Sequence, residues 1–469
     1  MADEPAASRA PEEHDPPRFI AGSTLRHVAV MTATGSIGLI AIFVVDFFSL
    51  LYISWLGDPR LTAAVGFATI VLFFGTAINV GLMIAVGALV ARALGARDRD
   101  RARRLAASAS IHMVLAAILV AAVLLALLPW LLERLGASPE TLPIAERFLW
   151  ITLPSNPPMA LGMGFSGILR AVGDARRAMY VTLAGAVVTA GLDPFLIFGL
   201  KLGPEGAAIA TVVSRLTFAI VGFYGAVMVH RLVAAPRLDA VLADARPMLS
   251  IALPAVLTNL ATPVSNGFVA GILARFGDET IAAIAIIDRL VPVAFGGVFA
   301  LSGAVGPILA QNWGAGRFDR MHGVLRDGVL LTAVYVGLVW LALILAREPM
   351  TRLFYATGET ADLIVFFCMI SGAMWFFNGL LFVANASFNN LGFPLLSTAF
   401  NWGRATLGTM PFAVWGAKLA GPPGVIAGIG VGSLVFGLAA LVTSFWTIGA
   451  LERRAVAARS EVEAVGSAP

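Results

Sequence analysis

The chain has 469 residues, 59% of them hydrophobic and 13% charged, with a mean hydropathy of +0.87; a soluble domain of this length is far less apolar, so the chain belongs in lipid. A net charge of +4 and a pI near 9.6 would suit a nucleic-acid binder, but Lys and Arg sit in the short connections between apolar runs, a membrane-topology pattern that excludes nucleic acid as a partner. The single cysteine, Cys368, excludes an intramolecular disulfide, and the five His have no ligand spacing, which argues against a metal centre.

Met1 to Leu25 is rich in Pro, Ala and acids and has no basic stretch ahead of an apolar core, so it reads as a disordered tail and not a signal peptide. Twelve apolar runs follow, starting near residues 27, 61, 105, 143, 178, 205, 247, 279, 322, 361, 394 and 424. Each supplies the ~20 residues of a spanning helix, and turn signals such as Leu56-Gly57-Asp58-Pro59 and Gly421-Pro422-Pro423-Gly424 separate them. The tails and even-numbered connections carry 21 Lys and Arg and the odd-numbered connections 8, while Arg215, Arg289 and Arg404 lie inside runs. Both termini are therefore expected in the cytoplasm, with the chain a multi-pass protein of the inner (plasma) membrane.

The chain repeats itself. Gly57-Asp58 matches Gly277-Asp278 at an offset of 220, Gly95-Ala96 matches Gly314-Ala315 at 219, Gly173 matches Gly392 at 219, and Gly203-Pro204 matches Gly421-Pro422 at 218. Six runs separate the copies, an even number, so the halves share one orientation about an axis along the membrane normal. The expected fold is an all-α membrane protein of twelve transmembrane helices in two six-helix lobes related by a pseudo-twofold axis. Residues 26–233 form the first lobe, 234–246 a cytoplasmic linker, 247–450 the second lobe and 451–469 a cytoplasmic tail. A cleft between two such lobes is the architecture of alternating access. No filter segment suggests a channel, and no interfacial constellation of acids, His and nucleophiles suggests an enzyme.

The run Tyr180 to Leu200 carries a carboxylate, Asp193, followed by Pro194. A charge at membrane depth costs several kcal/mol, so it has to be paired, protonated or turned to a wet cavity. Measured from the outer turns, Asp46, Asp193, Thr211 and Arg215 all lie about 12 to 18 Å deep at 1.5 Å per residue, in one layer. A partly desolvated carboxylate there is a candidate for proton exchange, and Thr189, four residues before Asp193, shares its helix face. Two other readings stay open: Asp193 as the cap of a helix broken at Pro194, and a structural ion pair with Arg215. Thr189, Ser49 and Thr211 have the further option of bonding back to their own helices.

The segments LRAVGD (Leu169–Asp174), LDPFLIFGLKLGPEGAAIAT (Leu192–Thr211) and AQNWGAGR (Ala310–Arg317) resemble the multidrug and toxic compound extrusion (MATE) family, over about Arg26 to Leu451. The resemblance implies a twelve-helix, two-lobe fold and export of lipophilic, often cationic compounds in exchange for protons or sodium. The proton-coupled branch uses an Asp on the first helix, an Asn and an Asp on the fifth and a Thr on the sixth. Asp193 and Thr211 match two of these positions, Thr189 stands at that of the Asn, and Ser49 at that of the first-helix Asp, with Asp46 one turn earlier. Thr34 replaces a Pro often found in the first helix. The sodium-coupled branches place a Glu eight residues after the Pro matching Pro254, and an acid on the tenth helix. Here those positions are Thr262 and Asn378.

In the second lobe, Asp288 and Arg289 point about 100° apart on a helix, and Asp288 can meet Arg404 or anchor a cation. Met374, Trp375, Phe377 and Asn378 supply aromatic faces and an amide suited to bulky cations. The expected function is a secondary antiporter exporting lipophilic, cationic drugs or toxic compounds in exchange for protons by alternating access. It needs no cofactor beyond the coupling ion, H+ with Na+ as the alternative, and works as a monomer, since two lobes complete the cavity. The competing readings are a sodium-coupled exporter of the same family and a lipid-linked precursor flippase of the wider superfamily.

Overall fold

The computed structural model describes residues 17–466, and no strand occurs among them. Helices begin at the caps that the turns supply. Ser23 accepts from the Arg26 amide to start α1 (Thr24–Ser54), Asp58 from the Arg60 amide to start α2 (Pro59–Gly95), and Asp98 from the Arg101 amide to start α3 (Arg99–Ala126). A short α4 (Leu128–Arg134) follows. The fourth run is divided into α5 (Leu142–Thr152) and α6 (Asn156–Val172) by a tight turn holding Pro154. Asp174 caps α7 (Ala175–Pro194), which passes into a π-helical turn at Phe195–Gly199, and α8 (Pro204–Phe223) into another at Tyr224–Val229.

The second half comprises α9 (Leu238–Leu273), α10 (Asp278–Gly314), α11 (Phe318–Leu353), α12 (Gly358–Asn390), α13 (Pro394–Gly403) with a π turn at Arg404–Thr409, and α14 (Met410–Gly466). Gly421, at φ 61°, breaks α14 into two passes in a conformation that only glycine adopts cheaply. Ten of the described helical segments are long and apolar enough to cross a membrane. Joining α5 to α6 and splitting the last segment at Gly421 brings the passes to twelve in two lobes.

Two helices cross the seam between the lobes. The start of α1, with Val28 and Met31, is buried in the core of the second lobe beside Leu301, Val305 and Leu325, whereas Ile53 at its end is buried among Val65, Val71 and Leu149 of the first. Helix α9 crosses the other way, from Met248, Ile251 and Ala252 in the first lobe's core to Val269, Ile272 and Leu273 beside Ala413 and Val425 in the second. The packing therefore does not follow lobe boundaries drawn along the chain, since α1 and α9 are each buried in both cores.

The face bearing the Arg-rich α2–α3 connection is closed. There the α2 and α10 backbones meet at Gly95 and Gly314, where a Cβ on either would collide with the partner's main chain at Gln311 or Arg92. The Arg92 guanidinium lies 3.4 Å from the Trp313 ring centroid and donates to the Asn390 carbonyl at 3.2 Å.

Residues 1–16 of the expected tail lie outside the described residues, but its remainder is ordered. Pro17–Ser23 forms a hook whose Phe19 ring is 1% exposed. Gln311 accepts from the Phe19 amide and donates to the Ala171 carbonyl, and Arg320 donates to the Phe19, Ala21 and Gly22 carbonyls. Composition suggested disorder; a buried aromatic, with the Phe19 amide and the Phe19, Ala21 and Gly22 carbonyls bonded to Gln311 and Arg320, overrides it. Likewise α9 starts within the expected linker at Leu238, because Asp244 is taken up by Ser108 (2.9 Å) and Arg104 (3.3 Å), and α14 runs into the expected C-terminal tail.

On the opposite face the hydrogen bonds stay within lobes: Arg60 with Glu140, Arg147 with Glu205, and Thr280 with Glu359. Among the described residues no inter-lobe hydrogen bond forms there, and the lobes part towards that side.

Candidate functional site

Asp193 lies inside α7, which continues through Pro194 into the π turn, so it caps no helix. Its side chain is 1% exposed. One carboxylate oxygen accepts the hydroxyl of Ser49 from α1, and the other is buried without a hydrogen-bond partner. A buried acceptor left unpaired costs ~1–3 kcal/mol, which marks the site as built for more than packing.

Arg215 does not reach Asp193. Its guanidinium donates to the Thr152 carbonyl at 3.0 Å and to Ser155 Oγ at 3.1 Å. The turn between α5 and α6 frees the Thr152 carbonyl that a continuous helix would have used, and it places the Ser155 hydroxyl beside it. The ion-pair reading of Asp193 is therefore not realised among the described residues. Asp46 is exposed although it lies mid-helix, and its charged neighbours are Asp193, Arg215 and, from the other lobe, Arg289. Asp46, Asp193 and Arg215 are thus electrostatic neighbours, with Asp46 exposed and Asp193 buried.

Thr189 and Thr211 donate to carbonyls one turn back in their own helices, Gly185 at 3.1 Å and Ala207 at 2.9 Å. Neither touches Asp193 in this conformation, and Ser49 supplies the contact instead. Nothing local in the sequence singles Ser49 out as the donor, because 144 residues separate it from Asp193.

In the second lobe, Asp288 and Arg289 are exposed on α10, and neither forms an ion pair among the described residues. Arg404 does not meet Asp288; it donates to Thr262 Oγ1 at 3.3 Å. Trp375 stacks on Phe295 at 4.8 Å and 6°, and meets Phe299 edge-on at 6.0 Å. Phe299 in turn reaches Phe43 of the first lobe at 6.4 Å, so Trp375 belongs to an aromatic cluster that spans the seam. Met374 packs on Gly430, the backbone of Phe377 on Gly437, and the Phe377 ring on Phe376 at 5.2 Å, while Asn378 is half-buried. Among the described residues no group of His, Cys, Asp and Glu could hold a metal ion. Nothing in the sequence pointed to the buried Asn79–Asn156 amide pair, at 2.9 Å, which ties α2 to the start of α6.

A family model described as MatE matches residues 36–195 and 254–415. The chain is 28% identical over 416 residues to a protein of Shewanella oneidensis described as an FAD transporter, covering 87% of this chain and 92% of that one. It is 26% identical over 358 residues to the multidrug export protein MepA of Staphylococcus aureus, covering 74% and 77%. Among solved structures, the Vibrio cholerae MATE transporter VcmN in the bent form superposes with a TM-score of 0.85 at 24% identity, covering 91% of this chain and 98% of that one. A multidrug resistance MATE family transporter in an outward-facing conformation gives 0.86 at 21% identity, covering 94% and 99%. These structural likenesses speak for the fold.

Proposed function

Because the chain belongs to the MatE family, a family of membrane transporters and not enzymes, we propose that it is a proton-coupled antiporter. In this reading it exports lipophilic, chiefly cationic compounds across the inner membrane by alternating access, as a monomer with cytoplasmic termini. The observation that carries this reading is Asp193, enclosed at mid-membrane with Ser49 as its one hydrogen-bond donor and one oxygen free. Such a carboxylate is costly as an anion and inexpensive once protonated. A proton entering from the parted side neutralises it, weakens the hold on cationic substrate at Asp46 and releases that substrate outward. Return of the proton to the cytoplasm, with the lobes rocked the other way, resets the site.

Protons are favoured over sodium in the second lobe because the Arg404 guanidinium stands against Thr262, and a fixed cation there repels a mobile one. The relative described as an FAD transporter adds nucleotide anions to the substrates worth testing.

The test is efflux of a fluorescent lipophilic cation from proteoliposomes under an imposed pH gradient or an imposed sodium gradient, for wild type and Asp193→Asn. Proton-driven efflux that the substitution abolishes supports the reading. Sodium-driven efflux replaces the coupling ion, unaltered transport in Asp193→Asn removes Asp193 from the mechanism, and no transport under either gradient favours the flippase reading.

A further inference from the structure

Arg404 is a buried charge that forms no ion pair among the described residues. It stands about 15 Å along its helix pass from Pro394, near mid-membrane, and its side chain is 8% exposed. No carboxylate pairs with it among the described residues, and Asp288, which the sequence offered as partner, is elsewhere. Its one side-chain hydrogen bond goes to the Thr262 hydroxyl at 3.3 Å, and Nε is buried with no acceptor. Arg215, a buried arginine of the first lobe, differs: two protein oxygens accept from it and Asp46 is nearby. A guanidinium has five N–H donors, so Arg404 is left with most of its hydrogen-bonding capacity unused in a medium where that is expensive.

Two further features point the same way. Arg404 opens the π turn Arg404–Thr409, and such turns are frequent at functional sites because they re-aim side chains from a helix. Thr262 is exposed on α9, so the guanidinium ends beside open space and not in the packed core. At the repeat offset of 219, Thr262 is one turn from the counterpart of Asp46. The first lobe therefore presents an acid, Asp46, from α1, whereas in the second lobe Arg404, on the helix equivalent to α7, stands against α9, the helix equivalent to α1.

We propose that Arg404 and Thr262 form an anion subsite in the second lobe, which accepts a carboxylate or phosphate group of the transported molecule. The subsite rests on the exporter reading above and refines it: among the lipophilic cations, the preferred substrates are those that also carry an acidic group. The planar fork of Arg404 takes two oxygens of the anion, the Thr262 hydroxyl donates its O–H to it while a lone pair still accepts from Arg404, and the body of the substrate lies towards the cleft.

The experiment uses two xanthene dyes that differ only in esterification, rhodamine 19 with a free carboxylate and its ethyl ester rhodamine 6G. Binding to the full-length protein in detergent is read by fluorescence polarisation, and transport in proteoliposomes under a pH gradient. Wild type is expected to bind the acid more tightly than the ester. Arg404→Gln should lose about tenfold or more for the acid, the loss of one charge-assisted hydrogen bond, and change little for the ester. Arg404→Lys, which keeps the charge but not the fork, should fall between. Equal binding of acid and ester by wild type overturns the subsite even if Arg404→Gln fails to fold, as does equal loss of both dyes in a folded Arg404→Gln. Acid-selective binding without gradient-driven transport of either dye leaves the subsite standing and overturns the exporter reading.

Discussion

The hydroxyl of Ser49 on α1 donates to the carboxylate of Asp193 on α7. It joins the helix that crosses between the lobes to the one that carries the buried acid, so the charge state of Asp193 is felt at the seam. Ser49→Ala is expected to reduce pH-gradient-driven efflux about tenfold or more while leaving dye binding within about twofold, since one hydrogen bond to a charged group is worth ~1.5–3 kcal/mol. In an Asp193→Asn background the same substitution should add nothing. Additive losses across this double-mutant cycle would separate the two residues.

Gly95 and Gly314 let α2 and α10 touch main chain to main chain on the basic face. Gly95→Ala puts a methyl group into the Gln311 backbone, an overpacking that costs ~1–3 kcal/mol in this conformation only. Spin labels at Arg97 and Arg317, both exposed at that face, should report longer distances in the variant, with the population moved away from the closed state. An unchanged distance distribution would show that the contact does not hold the face shut.

Phe19 anchors the hook against both lobes, in reach of Gly173 on one side and with Gln311 and Asn312 on the other. Phe19→Ala removes an aromatic worth ~3–5 kcal/mol when fully buried. The hook is peripheral, so the loss should appear as local opening: faster amide exchange over residues 17–23 and in the loop at Gly173, with the spanning helices still protected. Exchange that accelerates equally throughout the chain would make Phe19 part of the global core.

Asp174 caps α7 on the basic face and accepts from Arg177 and from His230, the latter at 2.8 Å. Burial pushes its carboxyl upward, but the hydrogen bonds from His230 and Arg177 outweigh this and hold it below the ordinary carboxylate value of 3.8. A depressed acid contributes stability that is present above its unfolded value and lost as pH falls through the folded one. Asp174→Asn should therefore lower the thermal midpoint at neutral pH, and the gap to wild type should close as pH falls below about 4. A gap as wide at pH 2 as at neutral pH would mean the cap acts by shape alone.

Hydropathy and repeated glycines were enough to read twelve passes in two lobes, because burial in lipid constrains every residue of a span and leaves its mark on composition. Partner choice was beyond reach. Asp193 could have met Arg215, Thr189 or Ser49; Arg404 could have met Asp288 or Thr262. The outcome turned on helix rotation and tilt: α1 leans across the seam and brings Ser49 to Asp193, and the turn between α5 and α6 offers Arg215 nearer oxygens. Thr189 and Thr211 bonded to the nearest free acceptor, a carbonyl one turn back. The crossing of α1 and α9 between cores, and the order of the Phe19 hook, likewise appear only once both lobes are in place. Sequence alone determined which residues must leave water, because that cost is set residue by residue; which polar groups then face one another was decided by packing between segments more than a hundred residues apart.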